Sequence, residues 1–162
     1  MAYKEEKKNL ENFSQMLKKM KIPFKFKDLG NSGEIFPAIV CTYRNEDTDF
    51  DVVIYNIADW IHVKCLVLET TGLPTPVALS IYKLALSLNY DLPETTFSLF
   101  NDNLYLEIDC LLDIDYDDFV GEFNSIPKGL KLFIHEIKQK EESVQISSTK
   151  GAIAGSEGKI KK

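Results

Sequence analysis

Thr95-Thr96-Phe97-Ser98-Leu99-Phe100-Asn101-Asp102-Asn103-Leu104-Tyr105-Leu106-Glu107-Ile108-Asp109-Cys110 is the stretch that decides the fold class. Phe97 and Leu99 alternate with Ser98 and Phe100, and Leu104, Leu106 and Ile108 alternate with Tyr105, Glu107 and Asp109. Successive side chains of a strand point to opposite faces, so each run has its own core side. Asn101-Asp102-Asn103 between them is short, and these residue types tolerate the positive φ of a tight connection. The stretch reads as an antiparallel hairpin.

Upstream the period changes. From Val77 to Leu88 the chain reads as a helix, with Ile81, Leu84, Ala85 and Leu88 as its core stripe. Thr75 is its expected N-cap, with Pro76 at the first helical position. Leu79, Tyr82 and Leu86 lie off that stripe and leave the helix apolar on more than one side, which predicts a second contact.

Further upstream lie more strands. Trp60 to Glu69 places Ile61, Val63, Cys65 and Val67 on one face, with Trp60, His62, Lys64 and Leu66 on a partly wet one. Phe50 to Ile57 and Phe36 to Tyr43 are β-rich runs, Asn45 to Thr48 is a polar turn, and Phe24 to Lys27 is a candidate short strand. Gly30-Asn31-Ser32-Gly33 is a turn cluster. Short links between runs favour antiparallel neighbours, because a parallel pair needs a long crossover. A first amphipathic helix covers about Tyr3 to Met20, with Leu10, Phe13, Leu17 and Met20 on one face, and Pro23 stops it.

Downstream, a last helical region runs from about Asp115 to Lys138, with Pro127 and Gly129 predicting a kink or two pieces. Beyond it, residues 139–162 are polar and small, the pattern of a flexible tail; residues 1–138 form one domain. The fold class is therefore α+β: a twisted antiparallel sheet of about five strands packed with three helices, in α-βββ-α-ββ-α order. Phe13, Leu17, Ile54, Val63, Leu84, Phe97, Leu106 and Phe119 are the expected core.

With 25 acidic and 19 basic side chains the formal charge is −6, which argues against nucleic acid as a partner. No run approaches the length of a membrane span, and the N-terminus has no signal-like apolar stretch. Cys41, Cys65 and Cys110 are widely spaced, so they read as buried core thiols in a reducing, cytoplasmic setting rather than metal ligands. Asp113-x-Asp115-x-Asp117 resembles the opening of a calcium loop, but the sixth and twelfth positions hold Asp118 and Asn124 where glycine and glutamate are needed. With Asp109, these acids fit a helix N-terminus better than a metal site. Neither His62 nor His135 has a nucleophile at suggestive spacing, and no phosphate-binding glycine loop occurs. No catalytic, cofactor or metal residue is identified, and no enzyme activity is expected.

The order of elements resembles that of the type III secretion chaperone-like superfamily, especially its YbjN-type members. The resemblance is carried by Trp60-Ile61-His62-Val63, by Leu73-Pro74 ahead of the helix ending Leu86-Ser87-Leu88-Asn89, and by the hairpin Phe97 to Leu106. It implies a binding module, often dimeric, that holds a client or regulates by contact. Leu79, Tyr82, Leu86, Trp60 and Tyr55 are the expected interface residues, with a protein partner or a second copy of the chain as occupant. The alternative is a small-ligand binder or enzyme with a pocket over the sheet.

Overall fold

The computed structural model describes residues 2–31 and 34–156. Nine elements follow in chain order: α1 (Ala2–Lys19), β1 (Phe24–Asn31), β2 (Glu34–Asn45), β3 (Thr48–Ile57), β4 (Trp60–Glu69), α2 (Thr75–Leu88), β5 (Thr96–Phe100), β6 (Asn103–Leu111) and α3 (Tyr116–Ser156). The strands form one antiparallel sheet in the order β1-β2-β3-β4-β6-β5.

The class matches the sequence reading, but the sheet has six strands rather than about five. The additional strand is β1. Its pairing continues from Phe24↔Cys41 through Gly30↔Ile35 to Asn31↔Glu34, so the first half of the presumed turn cluster is strand. Ser32 and Gly33 lie outside the described residues. Pro37 sits within β2 without breaking it, because the β2–β3 ladder begins one residue later, at Ala38↔Tyr55.

The period-2 patterns place the inner face as expected. Ile39, Cys41, Val52, Ile54, Ile61, Val63, Cys65, Leu104, Leu106, Ile108 and Cys110 all belong to one buried core. One expectation fails within β4. A register shift between Leu66 and Leu68 sets Leu68 opposite Leu104, so Val67 is only partly buried. Leu10, Phe13 and Leu17 of α1, Leu84, Ala85 and Leu88 of α2, and Phe119, Phe123, Ile126, Leu130 and Phe133 of α3 complete the same core. All eight expected core residues are buried, the most exposed being Leu84 at 6%.

Helix ends follow local chemistry. Asp115 caps α3: its carboxylate accepts from the Asp118 N–H at 2.9 Å and its carbonyl from the Phe119 N–H at 3.0 Å. Thr75 is not the N-cap of α2. The helix already includes it, and Pro74 occupies the cap position without a side-chain bond. Pro127 lies inside α3, which continues as one helix rather than two pieces. The helical backbone also runs past residue 139 to Ser156; the side chains of 141–156 and all of 157–162, where a flexible tail is expected, lie outside the described residues.

Candidate functional site

The three helices all deliver their buried side chains to one side of the sheet, and no described helix lies over the opposite, open face, although Ala38 and Val40 on it are buried. Antiparallel register arranges that open face in rows running across the strands. The outermost row joins Ile57, Trp60 and Leu111, which are direct neighbours through Ile57↔Trp60 and Trp60↔Leu111. They are 55%, 46% and 49% exposed, a contiguous apolar row at one end of the face.

The next row reads Ala38, Tyr55, His62, Asp109. The Tyr55 and His62 rings stack with centroids 5.2 Å apart, and Phe36 packs against Tyr55 at 5.5 Å. His62 Nδ1 lies 2.5 Å from Asp109 Oδ1. The third row contains Val40, Val53, Lys64, Glu107 and Thr96, with the Lys64 ammonium 2.8 Å from the Glu107 carboxylate. Burial alone would lower the Lys64 pKa, but the hydrogen bond to Glu107 and the nearby Tyr55 hydroxyl outweigh it and raise it. Burial in turn raises the Tyr55 hydroxyl, with Lys64 opposing.

The polar groups of this cluster are therefore spent on one another. Lys64 is ion-paired with Glu107 and His62 is hydrogen-bonded to Asp109, each partner coming from the adjacent strand β6. Two clefts, of about 240 and 230 Å³, lie elsewhere, beside α1. The first is lined by Tyr3, Lys7, Phe26, Lys27, Asp28 and Pro37, the second by a set including Glu5, Glu6, Asn9 and Asp59.

The five interface residues expected from the sequence fall on two surfaces. Trp60 and Tyr55 are on the open face, Trp60 exposed and Tyr55 half-buried within the aromatic cluster. Leu79 and Leu86 stand exposed on α2, at 51% and 66%, together with Val77 at 46%. Tyr82 is partly buried, its hydroxyl bonded to Thr70 Oγ1. Since α2 packs on α3 and β5 and feeds the core, its surface is on the helical side and is not continuous with the Trp60 row. Ile57 and Leu111 were missed. Each is the last residue of its strand, and only the register reveals that both flank Trp60.

All three thiols are free and buried, and burial pushes Cys41, Cys65 and Cys110 up to about 12. A folded thiol thus stays protonated at pH 8, where an unfolded one, with a pKa near ~8.5, is partly thiolate. Alkylation of the native protein at pH 8 should be slow and should accelerate to the free-thiol rate in urea. Fast native labelling of any of the three would contradict their placement. By the same linkage, stability is lost as pH rises above the unfolded thiol pKa toward the folded value.

No known family model matches the chain, and no curated protein matches it. Among solved structures it is similar to YbjN from E. coli, described as a proposed transcription regulator, at 15% identity and a TM-score of 0.53. The match covers 82% of this chain and 93% of that one. Identity at this level speaks for architecture, and the coverage extends it to nearly all of the other chain: the protein has a YbjN-like fold.

Proposed function

We propose that the chain is a non-catalytic, adaptor- or chaperone-like module that holds a protein partner against the open face of its sheet. The observation that carries this reading is the exposed row Ile57–Trp60–Leu111 on a face that no described helix covers. Contiguous apolar side chains of this size mark interfaces, and tryptophan is a frequent anchor. The Lys64–Glu107 ion pair and the His62–Asp109 contact near the row support it. A surface whose charges are matched in place can be covered without leaving an unpaired charge buried. The same pairs occupy the groups that acid–base chemistry would need, and the buried, protonated thiols are poor nucleophiles. The likeness to YbjN, and the pattern shared with type III secretion chaperone-like proteins, accord with a protein that works by binding. A second copy of the chain is one candidate partner, and α2 with Leu79 and Leu86 supplies a separate surface for another.

Trp60 is the chain's single tryptophan, so its fluorescence reports directly on the face. In complex with the partner captured from the native cell, or in the chain's own assembly, acrylamide quenching of Trp60 should fall at least about twofold, as expected of a desolvated anchor. The double variant Ile57→Lys/Leu111→Lys keeps the tryptophan and should keep its melting temperature. It should bind that partner at least ~100-fold more weakly, about 2.8 kcal/mol. A variant that binds as tightly as the natural chain, with Trp60 equally quenchable free and bound, would sink this assignment.

A further inference from the structure

The sheet ends in two edges, β1 and β5. An edge strand presents unpaired N–H and C=O groups on which another strand can add, and proteins guard against this. The two edges are built differently. β1 carries Lys25 and Lys27, a charge guard. β5 is Thr96-Phe97-Ser98-Leu99-Phe100, without charge or proline, and its Leu99 and Phe100 are 50% and 66% exposed. An uncharged, β-prone run of this kind is suited to pairing with copies of itself.

Near the start of β5, at Phe97, the edge is already occupied. The Phe97 N–H donates to Asn89 Oδ1 at 2.6 Å, and Asn89 Nδ2 donates to the Phe97 carbonyl at 3.1 Å. A carboxamide offers one acceptor and one donor side by side, the same pair that a residue of a neighbouring strand would offer. The direction fits the hairpin. Asn101 and Asp102 both have positive φ, which makes a two-residue turn closed by Phe100↔Asn103. Hydrogen-bonded pairs then alternate along the ladder, so Ser98 points its backbone toward β6 while Phe97 and Leu99 point theirs outward. Asn89 is itself anchored at the end of α2, where its N–H bonds the Ala85 carbonyl at 3.3 Å.

We propose that the Asn89 carboxamide is an edge guard: it fills the Phe97 backbone sites, one of the two outward-facing pairs through which β5 would pair with β5 of a second copy of this chain, and so interrupts the edge. Two identical strands pair antiparallel about a two-fold axis, so an open β5 edge is complementary to itself. The guard replaces by geometry what the lysines of β1 supply by charge. It is independent of the open face, which lies perpendicular to the strand edge.

Asn89→Ala removes both bonds and keeps a backbone in the right-handed helical region that alanine favours. At about 100 μM, light scattering should show twice the natural chain's molar mass. Adding Leu99→Lys should restore the natural mass, whereas Asn124→Lys, on the exposed side of α3, should not. One measurement needs no variant. In the natural chain the Phe97 amide should exchange with solvent at least about tenfold more slowly than the Leu99 amide, although both point outward. Unchanged mass for folded Asn89→Ala at every concentration overturns the proposal, as do equal exchange rates for the two amides; the exchange comparison decides the matter should the variant fail to fold.

Discussion

Phe119→Ala should lower the unfolding free energy by about 3–5 kcal/mol. Phe119 is fully buried near the start of α3. Its ring meets Phe13 of α1 edge-on, with centroids 5.2 Å apart and planes at 75°, and Phe123 at 5.6 Å. α1 packs mainly on β2 and β3 while α3 packs on β6 and β4, so this ring contact is where the two helices close over the middle of the sheet. Walls drawn from separate elements cannot collapse together into the space a lost ring leaves, which puts the cost at the upper part of the range. In urea the midpoint should fall without a change in slope, since the same surface is exposed on unfolding. Phe119→Leu should cost much less. A double cycle with Phe13→Ala should show the pair coupling by ~0.5–1.5 kcal/mol beyond area burial. An unchanged midpoint for Phe119→Ala would mean that the two helices do not meet there.

The inner side of the molecule was largely legible from the sequence, and the outer side was not. Burial acts on one chain position at a time. Alternation in β3, β4 and β6 and the stripes of α1 and α3 therefore identify Ile54, Val63, Leu106, Phe13 and Phe119 without any knowledge of which strands pair. The open face depends on pairing. His62 and Lys64 are visible as polar residues on a wet face, but their partners Asp109 and Glu107 are more than forty positions away, and only the β4–β6 register joins them. The same holds for Ile57 and Leu111 around Trp60. Asn89 is a harder case still. In sequence it is a residue of a turn, and its role depends on a carboxamide taking the place of a strand. Two local errors have local causes: β1 runs through glycine and asparagine because β2 pairs with it to the end of the hairpin, and the shift at Leu66/Leu68 displaces Val67 in a strand whose alternation looks regular.

Separation of the two exposed apolar surfaces changes what α2 can do. From the sequence, Leu79 and Leu86 stand out as apolar positions off the core stripe of α2, and Trp60 as an aromatic anchor of the adjoining sheet surface. The structure instead sends α2 to the helical side, against α3 and β5. A single partner covering the Trp60 row would leave Leu79 and Leu86 free, so substitutions on the two surfaces should act independently.

Opposite signs are expected from two glycines of the same helix. Glycine in a helix interior costs about 1 kcal/mol relative to alanine, so each must be explained or is open to improvement. Around Gly121, on the exposed side of α3, nothing lies within 4 Å of where a Cβ would stand. Gly121→Ala should therefore gain roughly 0.5–1 kcal/mol. At Gly129 a Cβ would stand 2.7 Å from Leu106 Cδ2 and 3.4 Å from both Leu106 Cδ1 and Leu92 Cδ1. Here the backbone of α3 lies directly against a β6 side chain, and Leu106 is fully buried and has little room to retreat. Gly129→Leu should thus cost at least about 3 kcal/mol, because it overpacks the layer between helix and sheet. Gly129→Ala forces a smaller shift, and its helix-propensity gain of about 1 kcal/mol offsets part of the strain. Combining it with Leu106→Ala should destabilise less than the sum of the two changes, since the new methyl group moves into the space the leucine leaves. Thermal unfolding of these five variants beside the natural chain tests the whole argument: a Gly129→Leu variant that melts with the natural chain would mean that α3 does not cross β6 at this residue.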